Sequence, residues 1–294
     1  MESNAVNFNF EYDLYRVPVP AWMNRVLKPS MESLYFYCDE SLPLATDQKY
    51  DHKFLESVEG VVTQETSEAY PWWGKLEPLA KKTNCKLECH KANQVLDLWT
   101  PLGGVVSTWS ELDEMMGEGR WRLKDPWMMG GTGQWRISRE LLSDPGYQKG
   151  IETRLLKGPL LLEQSLDISK VIGTTFKLDE SSATLLFSVE NHQNSQGNFL
   201  GGEVIDTPTS CLSALNKMAK YWHEQGARGI LEIDSFLLSE GEYPCVEVNH
   251  RKTMGWFIWH LQKKLGEGKL RLEKGHGIRL NPENAPLCVE WVKF

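Results

Sequence analysis

The stretch GARGILEIDSFLLSEGEYPCVEVNHRKTMG, from Gly226 to Gly255, decides the fold. GILEIDSFLL alternates apolar and polar residues as a half-buried strand does. SEGEYP is turn-forming, CVEVN is a second strand, and polar HRKT leads into a helix, MGWFIWHLQKKL. Glu247 and Asn249 stand two apart, so on a strand they share one face while Val246 and Val248 take the other. If the two strands pair antiparallel, Asp234 joins them on that face. Two carboxylates and an amide oxygen are hard ligands of the kind magnesium takes alongside substrate phosphates. A solvated strand face, charged to keep a sheet edge soluble, would carry the same residues. Arg251 and Lys252 follow at once, two cations suited to phosphate oxygens.

Upstream, Cys211 to Gln225 reads as a helix with apolar positions Leu212, Leu215, Met218, Ala219 and Trp222, broken by Gly226 and Gly229. Thr174 to Lys177 and Ala183 to Val189 read as strands. Before them, LLKGPLLLEQSLDI is an apolar run that stops abruptly at Glu163, Gln164, Ser165 and Leu166. Such a strand can enter a hinge whose backbone pairs with a purine edge, with Glu163 accepting from an exocyclic amine. It can equally end at the surface.

In WRLKDPWMMGGTGQWRIS two strand-like pieces flank a glycine-rich turn. Lys124 leading to Gly130, Gly131 and Gly133 can present an ammonium and several backbone N–H groups to a polyphosphate. No G-K-[ST] closes this loop and no G-x-G-x-x-G opens a helix. A structural hairpin uses glycines in the same way. Val105 and Val106 form a short strand, SELDEMM (Ser110 to Met116) a helix opened by a serine cap, and SRELLSD another.

Residues 1 to 92 read as a small α/β layer. Ser33 to Tyr37 (SLYFY) is expected to be a strand, Gly60 to Val62 another, PWWGKLEPLAKKTN a helix and Lys86 to Cys89 a further strand. Helical spacing at Val95, Leu96, Leu98 and Trp99 opens the next region. No catalytic motif stands in the first 92 residues.

A lysine before a glycine loop, an apolar strand to a glutamate hinge, a helix, a D-x-F strand and an E-x-N strand occur here in that order. The pieces are KDPWMMGGTG, LLLEQSLD, GARGILEIDSFLL and VEVNHRKTMG, and over roughly residues 93 to 294 the chain resembles the ATP-grasp superfamily. That resemblance implies an α/β (α+β) fold in which two subdomains, about 93–165 and 166–294, clasp the nucleotide behind a small α/β domain, 1–92. It places Lys124 on the phosphates, the loop of Gly130, Gly131 and Gly133 over them, and Glu163, Gln164, Ser165 and Leu166 at the adenine. It gives magnesium to Asp234, Glu247 and Asn249, and the transferred phosphoryl group to Arg251 and Lys124. The implied activity is an ATP-dependent, ADP-forming carboxylate ligase working through an acyl-phosphate. Its expected partners are ATP, Mg2+, a small amino-acid or peptide-like carboxylate and a nucleophilic acceptor. A phosphotransferase with a hydroxyl acceptor and a non-catalytic nucleotide-binding module are the alternatives. Two positions depart from the family. A second phosphate-binding lysine near the start of the small subdomain is represented only by Lys91, out of register. Glu232 stands two residues before Asp234, where an arginine is frequent.

Composition bounds the rest. The chain has 294 residues, room for two moderate domains, and a net charge of −8 with a pI near 5.5. That balance excludes a general nucleic-acid-binding surface. No run of about 18 apolar residues spans a membrane, and no basic, then apolar leader opens the chain, so a cytoplasmic protein with reduced thiols is expected. The twelve tryptophans suit a core and inter-domain seam, or an aromatic-lined pocket. Cys85, Cys89 and His90 cluster as C-x-x-x-C-H, a weak zinc pattern without a second ligand pair.

Overall fold

The computed structural model describes residues 2–64, 69–127 and 132–294. Three sheets organise it. In the N-terminal part four two-residue strands, β1 (Asn4–Ala5), β2 (Leu44–Ala45), β3 (Val62–Thr63) and β4 (Tyr70–Pro71), pair in parallel in the order β3-β2-β1-β4. The second sheet is antiparallel: β5 (Gly103–Val106), β6 (Trp121–Lys124), β7 (Gln134–Ile137) and β8 (Leu160–Gln164), in the order β5-β8-β6-β7. The third has eight antiparallel strands: β9 (Ile168–Leu178), β10 (Ala183–Gln193), β11 (Phe199–Ile205), β12 (Gly229–Leu238), β13 (Glu242–Asn249), β14 (Gly268–Arg271), β15 (Ile278–Arg279) and β16 (Glu290–Lys293). Their order is β13-β12-β9-β10-β11-β14-β16-β15, which leaves β13 at an edge facing the small sheet.

Each sheet buries the apolar half of its alternation. One face of the large sheet packs Leu231, Ile233 and Val248 against the Thr209–Glu224 helix, through Leu215, Met218, Ala219 and Trp222, and against Cys89 and Ala92. The other face carries Phe187 and Val189 beneath the Met254–Leu265 helix, in one core with Phe8, Phe10, Trp72 and Trp73 of the N-terminal part. The small sheet closes on Val106, Leu123, Ile137, Leu160 and Leu162.

Several expectations are corrected. Ser33–Tyr37 is not a strand: Glu32–Tyr37 is a 3-10 turn whose six residues are all buried. Lys86–Cys89 opens a helix, Lys86–Val95, which turns Lys86, Cys89, His90 and Asn93 inward at helical spacing. That helix ends at Val95, so Leu96 to Trp99 lie beyond it. The Trp109–Met115 helix is capped by Thr108, with Glu111 closing a capping box, rather than by a serine. Among the described residues no helix is long and apolar enough to cross a membrane. All six cysteines are free thiols.

Candidate functional site

The β12–β13 ladder sets Asp234 across from Glu247 and Glu232 across from Asn249. Alternation places all four side chains on one face. Asn249 Nδ2 donates to Asp234 Oδ2 at 3.1 Å, while Asn249 Oδ1 accepts from Arg251 Nη2 at 3.2 Å. Lys86 Nζ lies 3.0 Å from Glu247 Oε2. Burial and the neighbouring Glu232 and Glu247 push the Asp234 carboxyl well above its usual range. Burial also raises Glu232, against hydrogen bonds from Thr253 and Thr175. Glu247 goes the other way: burial would raise it, but Lys86, Lys124 and Arg251 together hold it below the ordinary value.

Glu232 has a built niche. A β-carbon on Gly173, the partner of Asp234 on β9, would come within 2.8 Å of the Glu232 carboxyl carbon, and one on Gly255 within 2.9 Å of its oxygen. The carboxylate therefore fits because two flanking residues lack side chains. It stands where the family resemblance leads one to look for an arginine.

Arg251 is engaged on every side. Its Nε donates to Glu11 on the Phe10–Tyr15 helix, Nη1 to the Lys252 carbonyl at 2.9 Å and Nη2 to Asn249. Burial by itself would lower its pKa; Glu11, Glu232 and Glu247 outweigh this and raise it.

On the small sheet, Lys124 closes an ion pair with Glu163, and the Tyr243 hydroxyl donates to the other Glu163 oxygen at 2.9 Å. Burial and then the Glu163 charge raise the Tyr243 phenol well above its usual value. Gln164 and Ser165 already spend their backbone N–H groups on the Leu102 and Arg120 carbonyls, at 2.8 and 2.9 Å. Leu166, with Lys124, Glu163 and Tyr243, lines a nook of only about 20 Å³. Gly133 turns the chain back into β7 with φ of 65°, and its carbonyl accepts from the Asp125 N–H at 2.7 Å. Gly130 and Gly131 lie outside the described residues. Before them Trp127 stacks on Tyr15 at 5.4 Å, and the Lys86 N–H donates to the Pro126 carbonyl at 2.8 Å.

Lys86, Tyr243 and Glu11 did not emerge from sequence reasoning. Lys86 was hidden by the expectation of a strand; a longer window, with buried positions at 86, 89, 90 and 93, carries the helical signal. Lys91, by contrast, pairs with Glu88 on an exposed face. Of the suggested zinc residues, Cys89 donates to the Cys245 carbonyl at 3.7 Å and His90 meets Gln94 at 3.2 Å. No three His, Cys, Asp or Glu side chains among the described residues are placed to hold a metal ion.

The Asp234, Glu247 and Asn249 donor set fits a hard divalent cation only when phosphate oxygens or water complete it. Asn249 would have to turn its amide over to offer oxygen beside Asp234. The crowding of three carboxylates on one face, with Asp234 in ion-pair contact with no lysine or arginine among the described residues, is the feature such a cation would relieve.

No protein-family model matches this chain, and no curated protein matches its sequence. Solved structures do match. N5-carboxyaminoimidazole synthetase from Staphylococcus aureus, complexed with ADP, aligns at 13% identity with a TM-score of 0.54, over 85% of this chain and 82% of that one. Phosphoribosylamine–glycine ligase from Thermotoga maritima gives 13% and 0.55, over 88% and 87%. Biotin carboxylase from Campylobacter jejuni, in a complex with β-γ-ATP, gives 11% and 0.57, over 82% and 72%. The chain has the ATP-grasp fold. At these identities the likeness is one of fold. Lys124 of the small sheet and Glu247 of the large one lie near enough for the lysine charge to help lower the Glu247 carboxyl.

Proposed function

We propose that the protein is an ATP-dependent, ADP-forming carboxylate ligase. The observation that carries this reading is the in-register pairing of Asp234 with Glu247, ringed by Lys86, Lys124 and Arg251. Residues 1–92 serve as the substrate-side part and 93–294 as the nucleotide-binding part. The neighbours described above support it: their names denote a ligase, a carboxylase and a synthetase, with ADP or a nucleotide complex among them.

In this reading Lys124 leaves Glu163 for the nucleotide phosphates, and Glu163 to Leu166 border the base. Asp234, Glu247 and Asn249 hold magnesium, which when bound neutralises phosphoryl charge. A carboxylate oxygen of the second substrate takes the terminal phosphoryl group and ADP departs. The acceptor nucleophile then attacks the acyl carbon and phosphate leaves. Lys86 and Arg251 supply fixed positive charge as negative charge spreads over the phosphoryl oxygens.

A cleft of about 890 Å³ beside Arg251 suits the second substrate. Trp72 and Trp73 wall it, with Lys75, Arg228, His250 and Lys252, and two carboxylates, Glu40 and Glu77, which stand 4.0 Å from Lys252 and His250. Lys252 sits 4.1 Å from the Trp72 ring centroid, and buried His250 has Nδ1 without a hydrogen-bond partner. Cations among aromatic walls suit a small carboxylate, amino-acid or peptide-like. ADP release from Mg-ATP, screened over such acids with and without amine acceptors, tests the proposal. Release that depends on one acid supports it; none with any acid counts against it.

A further inference from the structure

Arg120, Arg122 and Lys124 alternate along β6 and its approach, and alternation sends all three side chains to one face. Across the β6–β7 ladder Arg136 stands directly opposite Arg122. Like charges placed directly opposite destabilise a sheet. On the other side of β6, β8 brings Glu163 opposite Arg122, but both Glu163 oxygens are taken, by Lys124 and Tyr243. Among the described residues Arg122 makes no ion pair and no side-chain hydrogen bond. Burial and the Arg136 charge both lower its pKa.

These arginines open on a cleft of about 1040 Å³, whose other wall is Ser165 to Asp167. Arg136 gives one nitrogen to the Ser195 carbonyl at 2.8 Å and is otherwise exposed. Arg139, which also borders the cleft, is committed to Asp113 and to the Asp113 and Met116 carbonyls. Three acidic residues line the cleft as well, Glu118, Glu140 and Asp167, and none is within ion-pair distance of Arg120, Arg122 or Arg136.

We infer that this cleft is an anion site adjoining the position of Lys124, with which Arg122 shares a nook, and that it binds a small phosphate-bearing ligand between Arg122 and Arg136. Guanidinium forks match phosphate oxygens two at a time, which an ammonium cannot do. Three guanidinium groups without an ion pair among the described residues call for more negative charge than one carboxylate brings. The ligand relieves a repulsion that the bare fold retains, so part of its affinity comes from the protein. The site stands whether or not the chain is a ligase.

Magnesium-free pyrophosphate, titrated against the full-length protein in a thermal-shift assay, tests this. The wild type is expected to gain stability with saturation. Arg122→Gln and Arg136→Gln should each bind at least tenfold more weakly, and Lys91→Ala, which gives up only an exposed contact with Glu88, should bind as the wild type does. Arg122→Gln should also melt no lower than the wild type without ligand, since it removes a repulsion. If it fails to fold, Arg136→Gln, at the exposed partner, decides alone. No wild-type response, or an undiminished response in Arg136→Gln, overturns the inference.

Discussion

Asp234 and Glu247 stand directly across from each other on neighbouring strands, yet only Glu247 has a lysine, Lys86, at 3.0 Å. Their substitutions should therefore differ. Asp234→Asn removes a charge that burial and two neighbouring glutamates oppose, so urea unfolding should show stability unchanged or raised by on the order of 1 kcal/mol. ADP release should fall by two orders of magnitude or more. A loss of several kcal/mol would show that the Asp234 charge is structural.

Glu247→Gln should lose activity as severely, but it also takes the carboxylate charge away from Lys86, which is only 5% exposed. Breaking a buried pair from one side costs up to about 3–5 kcal/mol, and the partial exposure of Glu247 reduces that to roughly 1–3. Adding Lys86→Met should restore much of the stability and none of the activity. Strict additivity of the two stability losses would mean the pair is not coupled.

Lys124→Ala and Lys91→Ala separate the lysine proposed for the nucleotide phosphates from the other lysine that the sequence offered. Mg-ATP at a hundred times its dissociation constant should stabilise the wild type by about 2.7 kcal/mol. Lys124→Ala should lose most of that response. Lys91→Ala, which gives up only an exposed contact with Glu88, should keep it. Equal losses would misplace the lysine.

The hairpin was legible because β12 and β13 alternate cleanly. Asp234, Glu247 and Asn249 fall on one face by counting in twos, and register then does the rest. The Met254–Leu265 helix was legible for the same reason at helical spacing. Short apolar runs were not. SLYFY is buried all round, so its pattern cannot separate a 3-10 turn from a strand, and KLEC is too short to show the helix it begins. The partners of the site residues escaped because they are tertiary. Nothing local tells that Lys86 will meet Glu247, that Glu11 will hold Arg251, or that Tyr243 will close on Glu163.

A pH dependence follows from Glu32, far from these groups. Its side chain is 1% exposed, and burial lifts its pKa from 4.5 to about 7 despite hydrogen bonds from Thr46 and Tyr50. The folded state thus keeps a proton that the unfolded chain releases, and stability falls as pH rises between those values. The full loss is on the order of 3 kcal/mol. His260, pushed down to about 4 by burial, gives the opposite slope between that value and 6.5 and is common to both proteins compared. Glu32→Gln should therefore gain on the wild type steadily from about pH 4.5 to about pH 7.5, as read by urea unfolding. A constant difference across that range would contradict the buried-acid assignment.

The ligase reading is tested most directly by trapping the activated acid. Hydroxylamine added to protein, Mg-ATP and a panel of small carboxylates should give a hydroxamate with one acid, in step with ADP. Both should vanish in Asp234→Asn, which is expected to remain folded. ADP formed together with a phosphorylated hydroxyl product, and no hydroxamate from any acid, would contradict the ligase and establish a phosphotransferase on the same fold.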